Sequence, residues 1–223
     1  MAEATYRSTI TADGEARWTD TSYTPDAGAD TVGTSSDYHL ATFWDFSSPN
    51  YTVTESFFGF DLTSPTTGSA PPDGATIDVV TLNLYLYEHG SIERGVDCYA
   101  YDWGGTLATD DWRTVAQLQA LYDGGNGLFA YYTIPSGWGG SEGSKNFTEG
   151  TDAADAVAAA LGGTLYLMLA CSEHRAGTTP TARGYGGFRS ASYATESQRP
   201  LLTVEYTAPA GFTGLTVTRI LNG

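Results

Sequence analysis

The sequence has very little positive charge. Its 223 residues include 26 acidic side chains against 10 basic ones, of which Lys145 is the one lysine, so the formal net charge is −16. Proteins that bind nucleic acids neutralise phosphates with clustered lysines and arginines. The nine arginines of this chain are scattered along it. We therefore expect no nucleic-acid partner.

Long apolar runs are also missing. No stretch approaches the roughly 20 apolar residues that a membrane-spanning helix needs, so we expect no membrane insertion. The N-terminus has neither the basic region nor the apolar run of a secretory signal, which predicts a protein that stays in, or leaves by lysis from, the cytoplasm in which it is made. The alternative is a leader that is missing from this sequence. Aromatic residues make up 13% of the chain, a content that excludes a disordered acidic tail and indicates a soluble folded domain.

Cysteine and histidine are scarce. The two cysteines, Cys98 and Cys171, are too few for a disulfide framework or a four-ligand zinc site, so they are expected to be small buried residues. A bridge between them requires neighbouring strands, which the sequence leaves open. The three histidines, His39, His89 and His174, fall in no catalytic motif. Paired acids are better explained as helix starts and turn caps, so we expect no enzyme.

Apolar and polar residues alternate along much of the chain. Leu82, Leu84 and Leu86 follow a period of two, which places the leucines on one face of a strand. After a turn at 88–91 the alternation resumes, and this predicts two paired antiparallel strands. Further strands are predicted at 6–10, 39–45, 58–62, 128–134, 165–171 and 202–206. Short strands between Gly, Pro and Asp turns predict an all-β jelly-roll sandwich over residues 1–207.

Two short helical insertions interrupt the strands. The spacing of Val115, Leu118 and Tyr122 predicts one helix, which ends at a Gly-Gly pair. Residues 152–161 are predicted to form the second helix, with Thr151 as its N-cap. The alanines of this second helix indicate close packing across an open end of the sandwich.

The C-terminal residues 208–223 are predicted to be a linker followed by a C-terminal extension strand, because 214–221 alternates weakly. An isolated strand is not stable. The extension strand is therefore expected to pair either within its own domain or with a neighbouring chain.

The order of several segments resembles one family. The segments are Phe57–Leu62, Gly74–Ile77, Thr81–Leu86, Tyr101–Gly104, Gly163–Leu169, Gly187–Ser190 and Arg199–Tyr206. In this order they resemble the DNRLRE-type, carbohydrate-binding-module-like jelly-roll domains of bacterial surface proteins and of bacteriophage tail or virion proteins. The resemblance covers residues 5–207 and implies display, adhesion or sugar binding, with no catalytic residue. The segment from Gly214 is similar to the first strand of a fibronectin-type module.

Aspartates crowd one Gly- and Thr-rich loop. Calcium prefers carboxylate and carbonyl oxygens that loops supply. No cofactor is expected unless this loop holds one structural calcium ion, whose candidate ligands are Asp20, Asp26, Asp30 and Asp37. The spacing is not that of an EF-hand, and the alternative is a solvated acidic loop.

The tyrosines predict a contact surface. If the leucines of the first paired strand face the core, the tyrosines of both strands share the opposite face and form an aromatic platform. Its members are Tyr85, Tyr87, Tyr99, Tyr101 and Trp103. Aromatic rings with polar tips suit sugar stacking and subunit interfaces alike. A third alternative is that insertions and loops cover these rings.

Two functions follow as expectations. The first is a non-enzymatic structural or interaction protein on the surface of a bacteriophage particle, as a decoration, head-fibre or tail-associated component. Its partners are then other virion proteins or copies of itself in a homo-oligomer. The alternative is a carbohydrate-binding or adhesin module of a bacterial surface protein, which acts outside the cell and binds cell-surface glycans.

Overall fold

The computed structural model describes residues 1–8, 13–34, 40–47, 49–123, 127–137, 142–182 and 184–210. The strands are β1 (Ala2–Arg7), β2 (Gly14–Asp20), β3 (Thr31–Thr34), β4 (Leu40–Ser47), β5 (Asn50–Asp61), β6 (Thr67–Gly68), β7 (Thr76–His89), β8 (Arg94–Ala100), β9 (Ala130–Ile134), β10 (Gly143–Asn146), β11 (Thr148–Glu149), β12 (Thr164–Cys171), β13 (Tyr185–Phe188) and β14 (Leu201–Thr207). The helices are α1 (Val115–Asp123), α2 (Ala153–Ala160) and α3 (Ser172–Arg175). Within these ranges, no helix is long and apolar enough to cross a membrane.

The strands form two antiparallel sheets with jelly-roll connectivity. Sheet A has the neighbour order β1, β14, β7 and β10, with β6 beside β1 and β13 beside the far end of β7. Sheet B has the order β9, β8, β12, β5, β2 and β3, with β11 beside β9. Strand β4 pairs with β13 at one end and with β5 at the other, and so links the sheets. Strands β1 and β14 lie side by side. The chain passes repeatedly between the two sheets, and this connectivity gives the predicted all-β jelly roll.

The core between the sheets is built from the alternation seen in the sequence. Leu82, Leu84 and Leu86 of β7 are buried and pack against leucines and phenylalanines of β5 and β12. Helix α2 adds Ala153 and Val157 to this core and contacts both β7 and β12. It therefore closes one end of the sandwich, and both predicted helical insertions are present as α1 and α2.

A second core covers the outer face of sheet B. Its buried residues are Ala16, Trp18, Val53, Phe57, Tyr99, Trp103, Trp112, Leu118, Met168, Ala170 and Cys171. Helix α1 and the segments around it lie over this face. Because sheet B is buried on both faces, its central strand β12 is almost continuously apolar rather than alternating.

Two details of the sequence prediction are wrong. Strands β7 and β8 do not pair with each other, because β7 lies in sheet A and β8 in sheet B. A period of two specifies which residues share a face, but it does not specify the neighbouring strand. The N-cap of α2 is Asp152, without a side-chain cap hydrogen bond, rather than Thr151. The predicted extension strand at 214–221 lies outside the described residues.

The cysteines do lie on neighbouring strands, yet they form no disulfide. Cys98 of β8 points into the core between the sheets, whereas Cys171 of β12 belongs to the second core. In register, Cys98 lies opposite Leu169 and Cys171 lies opposite Val96, so the two cysteines are not a directly facing pair. Burial raises the pKa of the Cys98 thiol well above its usual value, which favours the inert neutral form.

Candidate functional site

Sheet A presents a polar outer face that we call the open face. Four neighbouring strands and the segment before β14 line a shallow groove of about 400 Å³ on it. The groove residues are Glu3, Arg7, Thr81, Asn83, Ser144, Asn146, Ser197, Leu201, Thr203 and Glu205. These side chains are half-buried or exposed, whereas outward side chains of the central strands of sheet B, such as Phe57, Tyr99 and Met168, lie in the second core. The sandwich is therefore covered on one side and accessible on the other.

Side-chain hydrogen bonds order the open face. The Asn83 amide nitrogen donates to Asn146 Oδ1 at 2.7 Å, and the Ser144 hydroxyl donates to Asn83 Oδ1 at 2.8 Å. These bonds join the edge strand β10 to β7 across the surface. On β1, Arg7 Nη1 donates to the carbonyl oxygen of Arg199 at 3.1 Å. Fixed polar donors and acceptors of this kind suit reversible polar contact rather than the burial of an apolar patch.

The predicted aromatic platform does not form, because its members lie on different sheets. Tyr85 and Tyr87 point outward from sheet A, whereas Tyr99 points outward from sheet B into the second core. Tyr99 is fully buried, and Trp103 is 4% exposed. Tyr101 is half-buried and packs against the same core. The alternative that insertions cover these rings is therefore correct for the sheet B members.

The covered tyrosines are bonded within the protein. The Tyr99 hydroxyl donates to Asp97 Oδ2 at 3.2 Å, and burial raises the pKa of Tyr99. The Arg113 guanidinium lies 4.4 Å from the centre of the Tyr101 ring, and the Tyr101 hydroxyl donates to Asp111 Oδ1 at 3.3 Å. The Tyr101 contacts anchor the segment before α1 to sheet B.

Of the sheet A tyrosines, Tyr87 is also packed. A side chain at Gly187 would collide with its ring, so glycine leaves the space that the ring needs. The Arg189 guanidinium lies 4.1 Å from the ring centres of both Tyr87 and Tyr193. Tyr85 remains half-buried on the open face beside the groove residue Ser144, its partner in register.

The three described calcium candidates, Asp20, Asp26 and Asp30, accept hydrogen bonds within the protein. Asp26 Oδ1 accepts a hydrogen bond from the Val115 backbone nitrogen at 2.9 Å, at the start of α1. Asp30 Oδ2 accepts one from the Thr19 nitrogen at 2.6 Å, while Asp20 accepts bonds from the residues that follow it. Asp37 lies outside the described residues. In the part of the chain that the structure describes, no group of three or more acids, cysteines or histidines is placed to hold a metal ion.

The two histidines that the structure describes, His89 and His174, are buried. His39 lies outside the described ranges. His89 is buried, with its Nδ1 3.1 Å from the Gly90 carbonyl oxygen. His174 is fully buried in α3, and its ring lies 5.3 Å from that of Trp112.

A buried acid–base pair, Glu55 and His174, was not foreseen from the sequence. His174 Nδ1 lies 3.6 Å from Glu55 Oε1, and both side chains are fully buried. Glu55 Oε2 accepts a hydrogen bond from the Arg113 backbone nitrogen at 2.9 Å. Among the described residues, Glu55 Oε1 and both ring nitrogens of His174 have no hydrogen-bond partner. The two residues are 119 positions apart in apolar and irregular segments, and no motif marks them.

Burial sets the protonation of this pair. It raises the pKa of Glu55 well above the usual value, although the Arg113 contacts lower it in part. It also lowers the pKa of His174 to about 4, with an opposing contribution from Asp26. The short separation would allow an ion pair, but desolvation favours the neutral form of both groups, and we adopt that assignment. Because neither side chain reaches solvent, a substrate cannot contact them.

No protein-family model matches the chain, and no curated protein matches it at a significant level. Function is therefore inferred from the fold and from the surfaces of the molecule.

Proposed function

We propose that the protein is a non-enzymatic interaction module on the surface of a bacteriophage particle, as a decoration, head-fibre or tail-associated component. Its partners are other virion proteins or copies of itself. The observation that carries the proposal is the difference between the two outer faces: sheet B is covered by a second core, whereas sheet A is open across four strands.

The chemistry of the open face supports contact between proteins that are already folded. Its side chains are mainly hydroxyls, amides and single charges, and several are fixed by hydrogen bonds before any partner binds. Ordered side chains lose less conformational entropy on association. The face lacks the large apolar area of an obligate interface, so attachment through a polar, wet contact fits it better.

The phage setting rests on the resemblance and on charge. The resembling segments include β5, β7, β12 and β14, all of which build the jelly roll. A net charge of −16 keeps the protein soluble and repels nucleic acid, as suits a protein that assembles near a packaged genome.

The experiment for this proposal is light scattering on the purified protein after size-exclusion chromatography. We expect a defined multiple of the 23.7 kDa chain, because virion components assemble in symmetric copies. Capsid or tail genes beside its own gene would agree with the phage setting. A protein that stays monomeric at every concentration and whose neighbouring genes encode no virion proteins would contradict the proposal.

A second candidate function is that of a carbohydrate-binding or adhesin module of a bacterial surface protein. The predicted five-residue platform does not support it, because those residues lie on opposite sides of the sandwich. Another pair of tyrosines, Tyr122 and Tyr131, favours it, since both are exposed beside one cleft.

A further inference from the structure

A pocket of about 350 Å³ lies between helix α1 and the residues that follow β8. It is lined by Tyr101, Arg113, Gln117, Ala120 and Leu121. Its volume is at the lower end of the range of about 300–1,000 Å³ that small-molecule sites occupy. The size of the pocket therefore fits a small organic molecule better than a segment of a polymer.

The apolar walls of the pocket are held in place by the fold. Tyr101 and Leu121 are half-buried and pack against the second core. Helix α1, which carries Leu121, is bonded to α3 where Gln119 Nε2 donates to the Arg175 carbonyl oxygen at 3.1 Å. Walls that are ordered beforehand lose less conformational entropy when a ligand binds.

Arg113 is the charged group of the pocket, and its charge is not balanced by a direct contact. Its guanidinium lies 4.4 Å from the centre of the Tyr101 ring, and its Nη2 donates to the Asp110 carbonyl oxygen at 3.1 Å. Its Nε is buried and has no hydrogen-bond partner among the described residues. Three other arginines form ion pairs with acidic side chains, whereas Arg113 forms none within the described ranges.

The acids near Arg113 are bonded to other groups. Glu55 Oε2 accepts the Arg113 backbone nitrogen at 2.9 Å, and burial raises the pKa of Glu55 well above its usual value, which favours the neutral acid. Asp111 accepts bonds from the Ala108 nitrogen at 2.8 Å and from the Tyr101 hydroxyl at 3.3 Å. No acidic side chain is among the described residues that line the pocket. The positive charge of Arg113 is therefore available to a ligand.

Gln117 adds a second donor to the pocket. Thr114 and Gln117 form a capping box at the start of α1: the Thr114 nitrogen donates to Gln117 Oε1 at 2.9 Å, and the Gln117 nitrogen donates to Thr114 Oγ1 at 3.3 Å. Because the box uses the side-chain oxygen, the amide Nε2 is the group left for a ligand. A guanidinium also has donors only. The pocket therefore presents N–H donors beside apolar walls.

We propose that this pocket binds the anion of a small carboxylic acid that has an apolar body. An ionised carboxylate has acceptors only, and its two oxygens match the planar guanidinium of an arginine. The carboxylate contacts Arg113 and Gln117, and the apolar body packs on Ala120, Leu121 and the Tyr101 ring.

The same features exclude related ligands. A single guanidinium balances one negative charge, so the phosphate dianion, which has no apolar part, is a poor match in a chain that carries −16. A neutral amide lacks the charge, and an ammonium ion would be repelled by Arg113. The site is separate from the proposed function, because it lies over sheet B and the open face belongs to sheet A.

The test is titration calorimetry of the whole protein with benzoate, benzamide and inorganic phosphate. We expect benzoate to bind, benzamide to bind about tenfold more weakly because it lacks the charge, and phosphate not to bind. In amide NMR spectra, benzoate should shift the signals of Gln117 and Leu121, which line the pocket.

Substitutions then test the role of the guanidinium. Arg113→Gln should weaken benzoate binding about tenfold. Arg113→Lys should recover part of the affinity, because lysine keeps the charge but not the planar pair of donors. Arg17→Gln, which removes a positive charge from β2 outside the pocket, is the matched control and should bind like the wild type.

Thermal melting checks that the variants fold. Four results would overturn the proposal: no binding of benzoate, equal affinity for benzamide or phosphate, NMR shifts confined to residues outside the pocket, or unchanged affinity in a folded Arg113→Gln protein. The first three use the unmodified protein, so they decide the question even if Arg113→Gln does not fold. Binding of a glutamate-containing peptide in place of benzoate would also overturn it. None of these results depends on the oligomeric state, so this proposal and the proposed function fail separately.

Discussion

At the scale of single residues, Glu55 and His174 are the most unusual feature of the molecule. They place two titratable groups in the interior, and both groups are kept neutral by desolvation. Their effects on stability have opposite dependence on pH. A single substitution at each residue separates the two effects on stability.

His174 should make the protein lose stability in acid. The pKa of His174 is about 4 in the folded protein and 6.5 in the unfolded chain. Its contribution to the free energy of unfolding is therefore complete above pH 6.5 and is lost as the pH falls toward 4. Over that window the loss is on the order of 3 kcal/mol. Urea unfolding at pH 7 and pH 4 should show that this loss is absent in His174→Gln. Equal pH dependence in the variant and the wild type would contradict the assignment.

Glu55 should make the protein lose stability as the pH rises. Its folded pKa lies above the unfolded value of 4.5, so its contribution is complete below pH 4.5 and is lost as the pH rises through the folded pKa. Glu55→Gln keeps an acceptor for the Arg113 nitrogen and removes the ionisation. In the same urea series, the stability of this variant relative to the wild type should increase with pH. A constant difference from pH 4 to pH 8 would exclude a raised pKa.

At the scale of secondary structure, α1 depends on a loop that precedes it by almost ninety residues. Asp26 accepts the backbone hydrogen bond at the start of α1, and the Trp112 ring nitrogen donates to the Pro25 carbonyl oxygen at 3.0 Å. The loop first considered for calcium therefore fastens the helical cover of sheet B.

Asp26→Ala should lower the free energy of unfolding by about 1 kcal/mol, as the loss of a helix-capping oxygen does elsewhere. Asp26→Asn keeps an acceptor oxygen and should lower the free energy of unfolding by less than Asp26→Ala does. Thermal melting with calcium or with a chelator should give the same midpoint for the wild type. A midpoint that rises with calcium would show that these aspartates bind metal after all.

Alternation predicted the strands but not their partners. Leu82, Leu84 and Leu86 marked β7 and its buried face correctly, because a half-buried strand repeats every two residues. The same pattern gave no information on whether the following strand continues in the same sheet, and β8 crosses to sheet B. Strand β13, Tyr185–Phe188, was missed because its two central glycines carry no alternation. The cleft tyrosines were missed because they come from a helix and a strand that only the fold brings together.

At the scale of the whole molecule, the sandwich is asymmetric. Aromatic residues that seemed to form one surface in the sequence are divided between a buried layer on sheet B and a polar face on sheet A. We propose that contact with partners takes place on the open face and in the cleft beside Tyr131. This division is the central claim about function.

The most direct test of that claim is light scattering on paired surface variants. Thr203→Arg with Ser144→Arg places two long cations on the open face, and Ala116→Arg places one on the exposed side of α1 over sheet B. We predict that the open-face double variant stays folded but falls to the monomer mass of 23.7 kDa, while Ala116→Arg keeps the assembled mass. An open-face variant that assembles like the wild type, or an α1 variant that dissociates, would contradict the account.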